Sequence, residues 1–141
     1  EGVFDIYMPD FKFWDSQIAE NACQAGDYPE VARRAFAEMH RQVGDLQVDE
    51  RGIAQKGMVI RHLVLPGGLA GTREVMKFIA QELSPDSYVN IMSQYNPLYK
   101  AFDYPEISRR ITGTEYKKVV NRAKKLGLTN LDIQGYWWLK D

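Results

Sequence analysis

The side chains best suited to chemistry gather on three apolar runs. In YMPDFKFW, residues 7–14, Asp10 and Lys12 stand two positions apart in an otherwise mostly apolar stretch. A strand alternates its side chains between two faces, so both share a face with Ile6 and Met8, while Tyr7, Phe11 and Phe13 look the other way. An unpaired buried charge is costly, so this acid and this ammonium call for a structural partner or a ligand. In MVIRHLVL, residues 58–65, Arg61 and His62 interrupt the most continuous apolar run of the chain. Parity groups Arg61 with Leu63 and Leu65, and His62 with Ile60 and Val64, so only one of them can share a cavity with Asp10. Arg61 is the better candidate, because a guanidinium pairs with a carboxylate and can still hold a ligand's carboxylate. The third run, Tyr88–Met92, carries Asn90 and leads into Ser93 and Gln94. Asn90 and Gln94 have the same parity. Ligands of parallel α/β sheets and barrels bind at the carboxyl ends of strands, where these groups lie.

Each of these residues also has a plainer reading. Asp10 and Arg61 can form an ion pair that merely satisfies the core. His62 is better read as a satisfied structural histidine than as a metal ligand, since the other histidine, His40, sits on a helix with no matching carboxylate motif. Cys23 stands alone, which excludes a disulfide within the chain and a thiolate cluster, and reads as a small apolar helix residue. PGGLAGT, residues 66–72, follows a strand and opens a helix, where backbone N–H groups can hold an anion. It is neither a Walker loop nor a G-x-G-x-x-G, and a tight turn explains it equally well.

The elements that must position these groups follow from periodicity. After the first strand, Asp15 and Ser16 supply N-cap chemistry for a short helix through Ile18, Ala19, Ala22 and Cys23, broken at Gly26–Asp27. Pro29 opens a second helix with the stripe Val31, Ala35, Phe36, Met39 and Val43, closed by Gly44. Its outer face carries Arg33, Arg34, Glu38, Arg41 and Gln42. Leu46–Val48 is a brief extended piece before the turn Asp49–Gly52, and a connector containing Gln55–Gly57 leads to the buried strand Met58–Leu65. Thr72 is the expected N-cap of a helix striped by Val75, Met76, Ile79, Ala80 and Leu83 and stopped by Ser84–Pro85. The strand Tyr88–Met92 precedes an aromatic loop through Tyr95, Tyr99, Phe102 and Tyr104, expected to pin itself to the body of the fold. Thr112 and Glu115 form a capping box for a helix through Tyr116, Val119, Val120 and Ala123, ended by Gly127. The tail adds a short strand, with Tyr136, Trp137 and Trp138 docking at its end. Alternation of this kind predicts an α/β fold, a parallel sheet joined by right-handed crossovers, over a single domain, residues 1–141. Pro9 predicts a bulge or a ragged end in the first strand.

Composition narrows the partners. The chain has 141 residues, 45% hydrophobic and 26% charged, with a net charge of −1. That fits one globular domain and supplies no basic field for nucleic acid or an anionic membrane. No apolar run reaches the ~20 residues that span a bilayer, and no signal peptide is expected. The lone cysteine fits a reducing, cytoplasmic setting. Beginning at Glu1, close to a strand, the chain reads as a piece of something longer.

YMPDFKFWDS, DYPEVARRAF-EMHRQVGD, RHLVLPGGLAGT and YVNIMSQYNPLYKA together resemble the C-terminal half of radical S-adenosylmethionine proteins, closest to those related to pyruvate formate-lyase activating enzyme. The resemblance runs from about Gly2 to Asp132. It implies the C-terminal half of a partial (β/α)6 barrel, TIM-like and open at the strand ends. It also implies an oxidoreductase parent in which a [4Fe–4S] cluster cleaves S-adenosylmethionine to a 5′-deoxyadenosyl radical that abstracts a hydrogen atom. The family's D-x-K strand matches Asp10–Lys12 and contributes to the cofactor and substrate cavity. Its strand arginine matches Arg61, near the ribose and carboxylate of S-adenosylmethionine, and Leu63 lies close to the adenine. Asn90 and Gln94 would complete the cofactor-binding set; Gln94 and Tyr95 stand where the family carries a histidine.

The CxxxCxxC loop that holds the cluster is absent here, so the chain alone is expected to be inactive, with no catalytic or metal-ligating residue of its own. S-adenosylmethionine and a protein substrate are the partners the resemblance implies. A half-barrel would expose a strand edge and an apolar lumen, so self-association is expected. A non-catalytic α/β binding module, using the strand-end pocket or the aromatic loop, is the alternative reading.

Overall fold

The structure, a computed structural model, describes residues 2–135. The expected docking of Tyr136, Trp137 and Trp138 lies outside them. The elements in order are β1 (Ile6–Tyr7), α1 (Ser16–Cys23), α2 (Tyr28–Val43), β2 (Gln47–Val48), β3 (Ala54–Leu63), α3 (Thr72–Phe78), β4 (Tyr88–Met92), α4 (Gly113–Lys125) and β5 (Leu131–Ile133). The strands β1, β3, β4 and β5 lie side by side in chain order, all parallel, and β2 pairs antiparallel with the start of β3. The fold is α/β with a mostly parallel sheet. No helix among the described residues is long and apolar enough to cross a membrane.

Pro9 interrupts β1 without shifting it. Ile6 and Tyr7 pair with Gly57 and Met58, and the same register returns where Asp10 meets Arg61. The Arg61 N–H donates to the Pro9 carbonyl and the Phe11 N–H donates to the Arg61 carbonyl, each at 2.9 Å. The missing proline N–H therefore costs one rung, not a bulge.

The helices cover one face of this sheet. From β3, Met58, Ile60 and His62 are buried while Val59, Arg61 and Leu63 are half-exposed, and β4 alternates likewise, with Val89 and Ile91 inside. Phe11 is the hub of the core: its ring meets Trp14, Tyr28, Phe36 and Phe78 at centroid distances of 5.1–6.3 Å. Caps behave as their chemistry dictates. Asp15 accepts from the Ile18 N–H at 2.9 Å, and the Thr112–Glu115 box closes in both directions.

Several local expectations need correction. The α2 stripe is turned by one position, burying Ala32, Phe36 and Val43 and leaving Val31 and Ala35 exposed. Arg33 packs its guanidinium over Trp14 and Gln42 accepts from the Tyr7 hydroxyl, so this helix's polar face is partly used. Gln55–Gly57 is strand rather than connector. Thr72 is the first residue of α3 rather than its cap, because its hydroxyl is committed to His62. Cys23 is exposed, its thiol donating to the Ala19 carbonyl.

Two glycines hold close approaches. At Gly57 (φ +116°) a Cβ would lie 2.3 Å from the Asp45 carbonyl oxygen, and at Gly71 (φ +67°) 2.4 Å from Trp14 Cβ. Neither position has room for a side chain.

Candidate functional site

The face of the sheet without helices carries a polar row. Register places Asp10 beside Arg61, Arg61 beside Asn90, and Asn90 beside Asp132. Registered neighbours of a parallel sheet project to the same side, so four polar side chains cross the sheet in one line near the strand ends.

The row is hydrogen-bonded at both ends, and no such bond joins Arg61 to Asn90 in the middle. At one end Arg61 Nε donates to Asp10 Oδ1 at 2.6 Å, and Lys12 Nζ donates to Asp10 Oδ2 at 3.0 Å. Burial by itself raises the Asp10 carboxyl, but the hydrogen bonds and charges of Lys12 and Arg61 outweigh it and hold the group below its usual range. At the other end Asn90 Nδ2 donates to Asp132 Oδ2 at 2.5 Å. Tyr88, two residues before Asn90, also bonds Asp132; burial first, then that carboxylate, push its phenol up. Between the two clusters, Asn90 Oδ1 is buried with no hydrogen-bond partner. The Arg61 side chain is 38% exposed, and its ion pair to Asp10 uses Nε, leaving the terminal nitrogens of the fork toward solvent. The Arg61 fork and the unpartnered Asn90 Oδ1 thus belong to registered neighbours on one face.

The remaining expected residues sit around this row. Leu63 is half-exposed and registers with Met92, one step further along the strands on the same face. Gln94 lies just past β4, exposed, and accepts from Gln134 Nε2 at 3.3 Å. Ser93 turns inward, its N–H donating to Gln134 Oε1. Asp10, Lys12, Arg61, Leu63 and Asn90 therefore share one side, with Gln94 at its rim. Asp132 and Tyr88 were not anticipated. Tyr88 has the parity of Asn90 and could have been found that way, whereas the register that delivers Asp132 is set by tertiary pairing.

His62 takes the opposite face and is fully buried. Its Nδ1 lies 2.7 Å from the Phe11 carbonyl, which can only accept, so that nitrogen carries the proton. Its Nε2, 2.7 Å from Thr72 Oγ1, is then the acceptor of the threonine hydroxyl. Desolvation lowers its pKa to about 4 from an ordinary 6.5, and the Phe11 carbonyl only partly offsets this. This histidine is a neutral structural tie between β1, β3 and α3. Tyr28 ties the same region from outside: its hydroxyl accepts from the Lys12 N–H at 2.8 Å and donates to the Asp10 carbonyl at 3.0 Å.

The two other candidate regions differ from expectation. In the PGGLAGT loop the Gly67 N–H donates to Glu115 Oε1 at 2.8 Å, so the anion at that turn is the chain's own carboxylate. The aromatic loop does not pin itself down: Leu98, Tyr99, Phe102 and Tyr104 are exposed, although the Tyr95 hydroxyl anchors on the Ile107 carbonyl.

No protein-family model matches the chain, and no solved structure matches it. Over 134 residues it is 35% identical to uncharacterized protein MJ0674 of Methanocaldococcus jannaschii, covering 94% of this chain and 34% of that protein. The chain therefore spans about a third of the length of the curated relative it matches.

Proposed function

We propose that this chain is the substrate-side, C-terminal half of a radical S-adenosylmethionine protein resembling glycyl-radical-enzyme activating enzymes, working in the cytoplasm. The uncovered sheet face is then the lumen of a partial (β/α)6 barrel, and the strands, neighbours in chain order, are its successive staves. One observation carries the reading: the Asp10–Arg61–Asn90–Asp132 row crosses the helix-free face toward the carboxyl halves of the strands, with the Arg61 fork and an orphaned acceptor at its centre.

The side chains of this row suit S-adenosylmethionine. Arg61, held by Asp10 through Nε, offers its fork to the carboxylate of the methionine moiety. Asn90 Oδ1 needs a donor, which a ribose hydroxyl is, and Leu63 offers an apolar surface to the adenine. Lys12 keeps Asp10 charged, and so keeps Arg61 aimed. When bound, S-adenosylmethionine with a reduced [4Fe–4S] cluster supplies hydrogen-atom abstraction. The cluster does not fit this chain, whose one cysteine, Cys23, lies on α1 outside the row. Its thiolates belong to an N-terminal half, a placement in keeping with a chain covering a third of its relative.

The test is the coding region upstream, expressed together with this chain and reconstituted with iron and sulfide. A CxxxCxxC about one half-barrel earlier, a [4Fe–4S] signal, and S-adenosylmethionine cleavage lost in Arg61→Gln are expected. An upstream region without a cysteine triplet overturns the reading. By itself the chain should self-associate through its bare edge or its open face. A one-chain mass by light scattering at high concentration would argue against an exposed lumen.

A further inference from the structure

On the helix side, away from the polar row, a groove of about 720 Å³ opens between α3, α4 and the turn that follows β3. Its volume is that of a small-molecule site. Val64 and Met76, both buried, with Leu65 and Val119 form its apolar part. Arg73 of α3 and Lys118 and Arg122 of α4 supply cations. Lys118 and Arg122 are four residues apart on one helix and so lie on the same side of it.

The charges of this groove do not balance within the chain. Of the two carboxylates lining it, Glu115 is saturated: it accepts from the N–H groups of Gly67 and Thr112 and from both terminal nitrogens of Arg109. Glu74 lies 3.8 Å from its neighbour Arg73. That leaves Lys118 and Arg122 without an ion pair among the described residues, and Arg122 Nε is buried with no hydrogen-bond acceptor. A guanidinium nitrogen withdrawn from water and left without an acceptor is costly, and native structures rarely keep one without a reason.

We infer that this groove binds a small anion, a phosphate or carboxylate carried on an apolar body, with Lys118 and Arg122 on the charged head and Leu65 and Val119 against the body. Neither the resemblance nor the polar row gives Lys118, Val119 or Arg122 a role, and the groove lies on the helix side, separate from the proposed lumen. A substrate, an effector or a lipid fragment with such a head would satisfy the same chemistry.

The test titrates the 141-residue chain with phenyl phosphate, phenylacetate and inorganic phosphate, followed by calorimetry and by thermal melting. Phenyl phosphate or phenylacetate should bind saturably, several-fold tighter than inorganic phosphate, and raise the melting temperature by mass action. Whichever of the two binds tighter identifies the head group. Lys118→Gln and Arg122→Gln should each weaken binding tenfold or more, whereas Lys124→Gln, an equal charge change at an exposed position of α4, should leave it within twofold. Circular dichroism and the unliganded melt establish that each variant is folded; Lys118→Gln supplies the comparison if Arg122→Gln is not. No saturable binding of any probe, or equal weakening by Lys124→Gln, overturns the inference.

Discussion

The two faces of one sheet are built on opposite terms. On the helix side Phe11, Met58, Ile60, Val89 and Ile91 lose nearly all contact with water, and even the polar His62 has both nitrogens satisfied. On the other side, residues from the same strands keep Met8 59% exposed and leave the Arg61 fork and Asn90 Oδ1 without full partners. The strands are shared, so backbone pairing cannot account for the difference. The covered face specifies the fold, and the open face leaves polar groups without partners among the described residues.

Substitutions at neighbouring positions of the first strand test that division most severely. Phe11→Ala should cost about 3–5 kcal/mol, the range for deleting a buried aromatic, measured by urea denaturation. Met8→Ala, three residues away on the open face, should stay within about 0.5 kcal/mol. Equal costs would mean that both faces are packed.

Acid should act next, and through the covered face first. The folded-state pKa of His62 is about 4, below its ordinary 6.5, so the unfolded chain takes up a proton that the native chain refuses. Stability is complete above pH 6.5 and falls as pH drops toward 4. Between pH 6.5 and 5, before most carboxylates titrate, the loss should be roughly 2 kcal/mol. A flat denaturation midpoint across that interval would remove the neutral, buried histidine.

The smallest effect should come from the row itself. Asp10→Asn breaks an ion pair whose cationic side chains are 38% and 57% exposed, so its stability cost should be below about 1 kcal/mol. On the proposed function, S-adenosylmethionine affinity of the chain reconstituted with an N-terminal half should fall at least tenfold with the same change. A large loss of stability with affinity untouched would make the row structural and sharpen the contrast in the other direction.

What could be read from residues alone was what depends on period and on capping. The alternation that puts Asp10 with Arg61 and against His62 is a property of any strand, the capping box and the β4 limits are local, and the parallel pairing follows from the alternation of strands and helices. The errors have tertiary causes. Ala32 rather than Ala35 faces inward because Phe36 and Val43 fix the rotation of α2 on the sheet. Thr72 gave up its capping role because a buried imidazole needed a donor, and no feature of residues 66–72 signals that partner. The exposed aromatics beyond β4 defied the rule that such side chains bury against their own fold.

The Tyr28 phenol has one more implication. It occupies the outward-facing Asp10 carbonyl and Lys12 N–H, standing in for the neighbour that a further strand would have been. An incoming chain can therefore zip along the border only as far as Met8 before it meets this stopper. Open-ended stacking of copies side by side is thereby discouraged, while a short, matched segment is still admitted.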